Sequence, residues 1–364
     1  MKLETERKHL LRALSAAAGI VERRVTIPIL ANVHLTAADG ALVIKATDLD
    51  IETTDRIAAN VSHPGATTAS AQMLLDIVKG IPDGALISFE ADDRHLTVKA
   101  GRSRFQIATL DAADYPAMAS PQYQTTFDIG GAALARLLDK AKFAMSTEET
   151  KYYLNGVYLH VMGDMLRGVA TDGHRLAQVD CSLPADAAGM PGVIVPRKTV
   201  MEMIKAASGA AGDVTVSVSD TKIRMSTDTI AITSKVIDGT FPDYTRVIPK
   251  GNTNRATIDA AELRGAVGRV VTVASERTSA VKMEFAQDAV TVSHTSATGQ
   301  AQDAVGAGYD GPDLAIGING KYLAELLGQV TGDAVFNMGS EGDPIIIRDS
   351  DDTGLLMICM PMRY

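Results

Sequence analysis

The stretch "ATDGHRLA" at 170–177 sets an aspartate, a histidine and an arginine within four residues, at Asp172, His174 and Arg175. A carboxylate beside an imidazole is a pairing that general acid–base catalysis uses. The same residues also read as a turn, since glycine takes positive φ and aspartate bonds nearby backbone amides. A related stretch, "ATDLDIE" at 46–52, repeats the turn with different side chains. A turn that recurs in this way is architecture before it is catalysis. No other pattern offers chemistry. His9, His34, His63, His95, His160, His174 and His294 make no HExxH or similar ligand pair. "GINGK" at 317–321 lacks the remaining P-loop spacing, and there is no GxSxG or dinucleotide fingerprint. Cys181 and Cys359 are far apart, in apolar stretches where cysteine behaves as a small hydrophobe. No catalytic residue, metal or cofactor is therefore expected.

The elements that carry this turn recur. Thr47, Thr171 and Thr295 are each 124 residues apart, in "VHLTAADGALVIKATDLDIE", "VYLHVMGDMLRGVATDGHRLA" and "VKMEFAQDAVTVSHTSATGQA". Each segment reads as strand, turn, strand and a further turn. Downstream, "QMLLDIVKG", "KTVMEMIKA" and "KYLAELLGQ" have the apolar spacing of short amphipathic helices, and further strands follow. Each repeat opens with a helix, over 6–18, 132–143 and 261–271. The expected class is α+β in three domains, 1–121, 122–251 and 252–364, joined by polar, Pro- and Gly-bearing linkers.

The 364 residues are 46% hydrophobic and 22% charged, as in soluble globular proteins, and tryptophan is absent, so the cores must be aliphatic. The charged N-terminus cannot serve as a secretory core, no window approaches a membrane span, and the cysteine usage fits a reducing cytoplasm. A net charge of −9 argues mildly against a nucleic-acid partner. Its distribution argues otherwise: the six expected helices hold thirteen basic and six acidic residues, a net of +7, which leaves −16 elsewhere. A surface gathering those helices would attract a polyanion through sequence-blind phosphate contacts. The plainer alternative is a solvated helix face, since helices favour Lys and Arg.

"TIPILANV", "ATDLDIE", "GRSRFQIATL", "KYYLNG", "VATDGHRLA", "VIVPRK", "FPDYTRVIP" and the terminal "MPMR" closely resemble the bacterial sliding clamp, the beta subunit of DNA polymerase III, in order along the whole chain. The resemblance implies three tandem DNA-clamp domains and a head-to-tail homodimer, a ring of pseudo-sixfold symmetry with helices inside and sheets outside. Twelve helices about 10 Å across would line a wall of roughly 120 Å and leave a bore of roughly 28 Å, enough for a hydrated duplex. The implied partners are double-stranded DNA, the polymerase catalytic subunit, the clamp loader and other proteins with clamp-binding motifs; the implied place is the bacterial cytoplasm, at the nucleoid.

By the same resemblance Arg24, Lys151, Tyr152, Tyr153, Arg197 and Lys198 would contact DNA; Lys79 and Lys205 are added from charge and helix position. A peptide pocket would be lined by Leu154, Thr171, Gly173, His174, Arg175, Leu176, Pro242, Arg246, Val247, Pro344, Met360, Pro361 and Met362, with Asn319, Tyr322 and Arg363 nearby. Its aliphatic and methionine side chains suit short motifs with a glutamine and apolar anchors. Phe105, Thr272 and Val273 would meet at the dimer interface. The chain departs from the family pattern in ending on Tyr364, where leucine is frequent, in the acidic Glu148 and Glu149 before "YYLNG", and in the acid-poor segment 295–303. Two other readings are an enzyme using Asp172 and His174, and a protein-binding scaffold that never meets DNA.

Overall fold

The computed structural model describes residues 1–22, 26–119, 122–274, 280–297 and 299–364. Six α-helices are found among them: α1 (Arg7–Ile20), α2 (Ala71–Gly80), α3 (Gly131–Ala141), α4 (Arg197–Ser208), α5 (Ala260–Val271) and α6 (Gly320–Leu327). The apolar spacing predicts a helix first in each repeat. In the structure a strand comes before it, at Lys2–Glu6, Thr125–Gly130 and Asn254–Asp259. The first of these, "KLETE", hides its strand character because charged residues occupy every outward position, while only Leu3 and Thr5 are buried.

Strand gives way to helix through local caps. Asp259 accepts the Glu262 amide at 2.7 Å, Ser70 accepts that of Met73 at 3.4 Å, and Asn319 accepts those of Lys321 and Tyr322 at 3.0 and 3.3 Å. These side chains satisfy amides that the first helical turn leaves unpaired. On α1, Leu10, Ala13, Leu14, Ala17 and Ile20 form the buried stripe, and Lys8 and Arg12 stay exposed.

The chain forms two compact units. The first contains Met1–Ala135, Pro184–Pro191 and Lys198–Val236. It holds a five-stranded antiparallel sheet, ordered Asn60–His63, Lys2–Glu6, Leu86–Ala91, His95–Ala100 and Ser103–Ala108. It also holds an eight-stranded sheet. Four of its strands come from the first repeat, and the other four are Thr125–Gly130, Asp213–Val218, Lys222–Ser226 and Ile230–Lys235. The two groups join where Ile230–Lys235 pairs with Ile51–Ala58, Ser234 opposite Ile51.

The second unit contains Arg136–Leu183, Gly192–Arg197 and Ile237–Tyr364. Its eight-stranded sheet is built in the same way. Leu355–Cys359 pairs with Arg175–Ser182, Cys359 opposite Arg175. Its four-stranded sheet runs Gly299–Gly306, Ala289–Ser296, Ala280–Ala286 and Leu314–Asn319. Each sheet hides an aliphatic face, with Phe89 fully buried in the first unit and Phe285 and Phe336 in the second.

Candidate functional site

The corner between strands Met165–Thr171 and Arg175–Ser182 is a closed turn. The Thr171 hydroxyl donates to the Arg175 carbonyl at 2.7 Å and accepts the Gly173 amide at 3.1 Å. One Asp172 oxygen accepts the amides of His174 and Arg175 at 2.9 and 3.0 Å, and the other accepts Arg175 Nε at 3.1 Å. Gly173 sits at φ +92°, which explains the glycine. Asp172 is therefore occupied as a structural acceptor of two amides and the Arg175 side chain. The His174 ring instead stacks near Tyr322, with centroids 6.2 Å apart.

Arg175 is buried to 9% exposure, with its guanidinium 4.4 Å from the Tyr322 ring centre and 5.3 Å from that of Phe143. Glu325 accepts its Nη1 at 2.5 Å. A buried guanidinium needs this combination of carboxylates and ring faces. The sequence reading missed Phe143 and Glu325, because nothing in their local sequence marks them. A cleft of about 530 Å³ opens beside the corner, lined by His174, Arg175 and Tyr322 together with Phe143, Glu148, Arg197 and Glu325.

On the apolar side, Leu154 and Leu176 belong to a buried cluster with Val169, Ile194, Phe241, Tyr244, Ile346, Leu356 and Ile358. The other expected pocket residues are neighbours in sequence of this cluster. Pro242, Arg246 and Val247 are exposed around Tyr244, Pro344 is half-buried just before Ile346, and Met360, Met362 and Arg363 are exposed beyond Cys359, with Pro361 half-buried. The tail is tied to the corner, for the Met360 amide donates to the His174 carbonyl at 2.9 Å. Asn319 serves as the α6 cap that sets Tyr322 in place. The loop bearing Tyr244 is held from beneath: its hydroxyl lies 3.0 Å from His160 Nε2 and accepts Arg167 Nη1 at 3.2 Å. Arg167 is clamped by both Asp180 oxygens at 2.6 and 2.8 Å. Burial, then the Arg167 charge, holds the His160 imidazole below its ordinary value. Burial pushes the Cys359 thiol up to about 12, so it is a core residue and not a nucleophile.

The expected DNA-contacting cations differ in how free they are. Lys79 is exposed at the end of α2. Lys205 is exposed but pairs with Glu202 at 2.6 Å. Lys151 pairs with Glu148 at 2.9 Å, so the acidic loop neutralises part of its own basic charge. Arg197 donates to the carbonyls of Met145 and Ser146 at 2.7 and 3.0 Å. Lys198 donates to the Ile20 carbonyl at 2.7 Å and pairs with Asp48 and Glu22. Tyr152 is 53% exposed, while Tyr153 packs on the buried cluster, edge-on to it. Arg24 lies outside the described residues. Counted on the observed helices, twelve basic residues face five acidic ones, again a net of +7.

At the sheet edges, Phe105 is 36% exposed on Ser103–Ala108 and borders a cleft with Met73 and Ile77. The Thr272 hydroxyl donates to the Arg269 carbonyl at 2.6 Å, which closes the end of α5. A Cβ added to Gly299, at the start of the edge strand Gly299–Gly306, would meet Val273 at 3.6 Å. Among the described residues no helix is long and apolar enough to cross a membrane, and no group of three or more His, Cys, Asp or Glu could hold a metal ion.

Repeated helix-and-sheet units with sheets shared from one repeat to the next, and a corner whose aspartate is taken up by the turn itself, define a clamp-type protein without catalytic machinery. Three profiles of the DNA polymerase III beta subunit match in order: its N-terminal domain at 1–119, its central domain at 128–243 and its C-terminal domain at 245–363. The chain is 43% identical to the beta sliding clamp of Caulobacter vibrioides and 34% identical to that of Escherichia coli K12, with all of each chain covered in both cases. Among solved structures, it superposes on the DnaN sliding clamp of Bartonella birtlesii, bound there to griselimycin, with a TM-score of 0.96 at 40% identity over both full chains. The chain belongs to the DNA polymerase III beta subunit family, the beta sliding clamps, and is a non-catalytic processivity clamp.

Proposed function

We propose that two copies close head to tail around duplex DNA, and that the corner at Thr171–Arg175 with the tail at 360–363 docks partner peptides. The observation that carries the ring is a pair of matched free edges. Ile230–Lys235 and Leu355–Cys359 each end a four-strand set and pair with the first strand of the next set. Ser103–Ala108 holds the corresponding place in the five-stranded sheet, and Gly299–Gly306 holds the complementary place in the four-stranded sheet. Each is an edge strand with unpaired backbone groups, which a second copy would satisfy. Carrying over the register of the two internal junctions sets Gln106 opposite Gln300 and Phe105 opposite Ala301 of that copy.

This reading makes three domains per chain, near 1–121, 122–251 and 252–364, and six per ring. The helices, net positive, line the bore, and the acidic remainder faces a cytoplasmic solvent. Lys79, Lys205 and Tyr152 are the exposed candidates for weak phosphate contacts, with Lys151, Arg197 and Lys198 half-buried behind their own partners; such contacts allow sliding because they read no sequence. Partners are duplex DNA, a second copy, and polymerase, clamp-loader and repair proteins bearing short motifs with a glutamine and apolar anchors.

Two experiments test it. A Gln106→Cys, Gln300→Cys protein should form a disulfide-linked dimer, because paired residues on antiparallel strands lie about 4.5–5.5 Å apart, within disulfide reach. A register-shifted Gln106→Cys, Gln302→Cys protein should link poorly. Loaded onto DNA, the linked ring should stay on closed circles and run off linear DNA; equal retention on both rejects enclosure.

A further inference from the structure

The C-terminal tail is fastened at two points. The Met360 amide donates to the His174 carbonyl and the Met362 amide to the Gly317 carbonyl, both at 2.9 Å. These two bonds bridge the corner to the edge strand Leu314–Asn319. This leaves the Met360 and Met362 side chains about 40% exposed, beside the corner.

Gly317 is buried, and its φ is not in the left-handed region; its need for glycine is steric. A Cβ there would run into the Met362 carbonyl oxygen and would stand 2.5 Å from Tyr364 Cδ1. Glycine inside a strand marks such a close approach of another backbone. Directly across the ladder from Gly317 is Lys282. Its ammonium reaches 5.4 Å from the Tyr364 ring centre, at cation–π range. Glu284 accepts a hydrogen bond from the same ammonium at 2.6 Å. The glycine therefore forms a floor, the tyrosine lies on it, and the lysine closes it.

We propose that Gly317, Lys282 and Tyr364 form a seat that holds 360–363 as a pre-set wall of the docking site, so that these three positioning residues set how long a partner peptide stays bound. The proposal rests on the peptide-docking reading above. With the seat intact, the two methionines meet an incoming apolar anchor without first being ordered; without it, each binding event must order the tail.

The test uses full-length protein and a fluorescent peptide with one glutamine and two leucine anchors. Gly317→Ala should weaken binding by about tenfold or more, through faster dissociation. Tyr364→Ala and Lys282→Met should each weaken it by about two- to fivefold, the worth of an exposed cation–π contact. Tyr364→Phe, which keeps the ring, should bind like wild type. Hydrogen exchange at the Met362 amide reads the tail directly: it should quicken in the weakened variants and not in Tyr364→Phe. Tyr364 is 61% exposed, so its variants report even if Gly317→Ala folds poorly. Wild-type protein that fails to bind the peptide overturns the docking reading and this one with it. Wild type that binds, beside a Tyr364→Ala protein with unchanged affinity and unchanged Met362 exchange, overturns the seat alone.

Discussion

The corners at 47–51 and 171–175 are the same turn, bond for bond. Thr47 donates to the Ile51 carbonyl at 2.9 Å and accepts the Leu49 amide at 3.0 Å, as Thr171 does with Arg175 and Gly173. One Asp48 oxygen accepts the amides of Asp50 and Ile51, both at 2.9 Å, as Asp172 does with His174 and Arg175. The next strand of the sheet is tied identically: Lys235 donates its amide to Asp50, and Met360 to His174, both at 2.9 Å. The difference lies in what the spare carboxylate oxygen and the tip side chains meet. At the first corner Lys198 takes Asp48, Asp50 pairs with Lys235, and a cleft of about 290 Å³ is bordered by the chain's own 116–119 segment. At the second corner Asp172 and Glu325 hold Arg175 against two rings, and the tail stands beside His174. The backbone frame is common to these two corners, and what differs is the side chains hung on it.

The largest break in this comparison comes from the two aspartates. Asp172→Ala strands two amides and removes one of two carboxylates from a buried guanidinium, a loss of about 3 kcal/mol. Asp48→Ala strands the equivalent amides but leaves the half-exposed Lys198 with Glu22, a loss of about 2 kcal/mol. Chemical denaturation measures both. Only Asp172→Ala should also abolish peptide binding. If Asp48→Ala abolishes it equally, the corners do not differ in function as argued.

The repeat and the turn were legible because both depend on local patterns: threonines at a fixed spacing, alternating strands, an Asp–Gly pair. The sharing of each eight-stranded sheet by two repeats was not, since the pairing of Ser234 with Ile51 or Cys359 with Arg175 joins residues more than 180 apart. Charge counting found the helical excess but could not see that Lys198 is already paired with Asp48, or that Glu148 neutralises Lys151. The supports of the site, Glu325 and Phe143 under Arg175 and His160 under Tyr244, are ordinary residues locally and acquire their roles only through tertiary contact.

The turn tips offer a smaller and more symmetrical test. Leu49 adopts φ +79° and Gly173 φ +92°. A side chain in this region costs roughly 1–2 kcal/mol. Gly173→Leu should therefore lose about that much from its backbone conformation alone, since an added Cβ meets nothing closer than the Lys151 ammonium at 4.0 Å, an ordinary contact. Leu49→Gly should gain about 0.5–1 kcal/mol, the relief of strain less the added chain entropy. Opposite signs at equivalent positions, read from denaturation midpoints, would show that the second repeat has relaxed a strain the first retains. A gain in both would mean that the Leu49 conformation is not the source of strain.

The smallest effect is a pH dependence peculiar to the first corner. Burial alone would raise the Asp48 carboxyl, but the Lys198 hydrogen bond and the amides of Ile51 and Asp50 outweigh it and hold Asp48 below its ordinary 3.8. A carboxyl depressed in the folded state binds its proton more readily when unfolded. The stability it contributes is therefore complete above about pH 4 and is lost as pH falls through the folded value. Lys198→Met removes one of the groups responsible, so the variant's stability should fall less steeply than wild type below pH 4, with the two curves parallel above pH 5. Denaturation series between pH 2.5 and 6 would read the difference. Because the same ammonium is a candidate DNA contact, Lys198→Met should also reduce the salt dependence of DNA binding only slightly: a cation already held by two carboxylates neutralises little phosphate charge and so displaces few of the counterions condensed on DNA. A large loss of salt dependence would instead mean that DNA pulls Lys198 away from Asp48, and the first corner would then be a site in its own right.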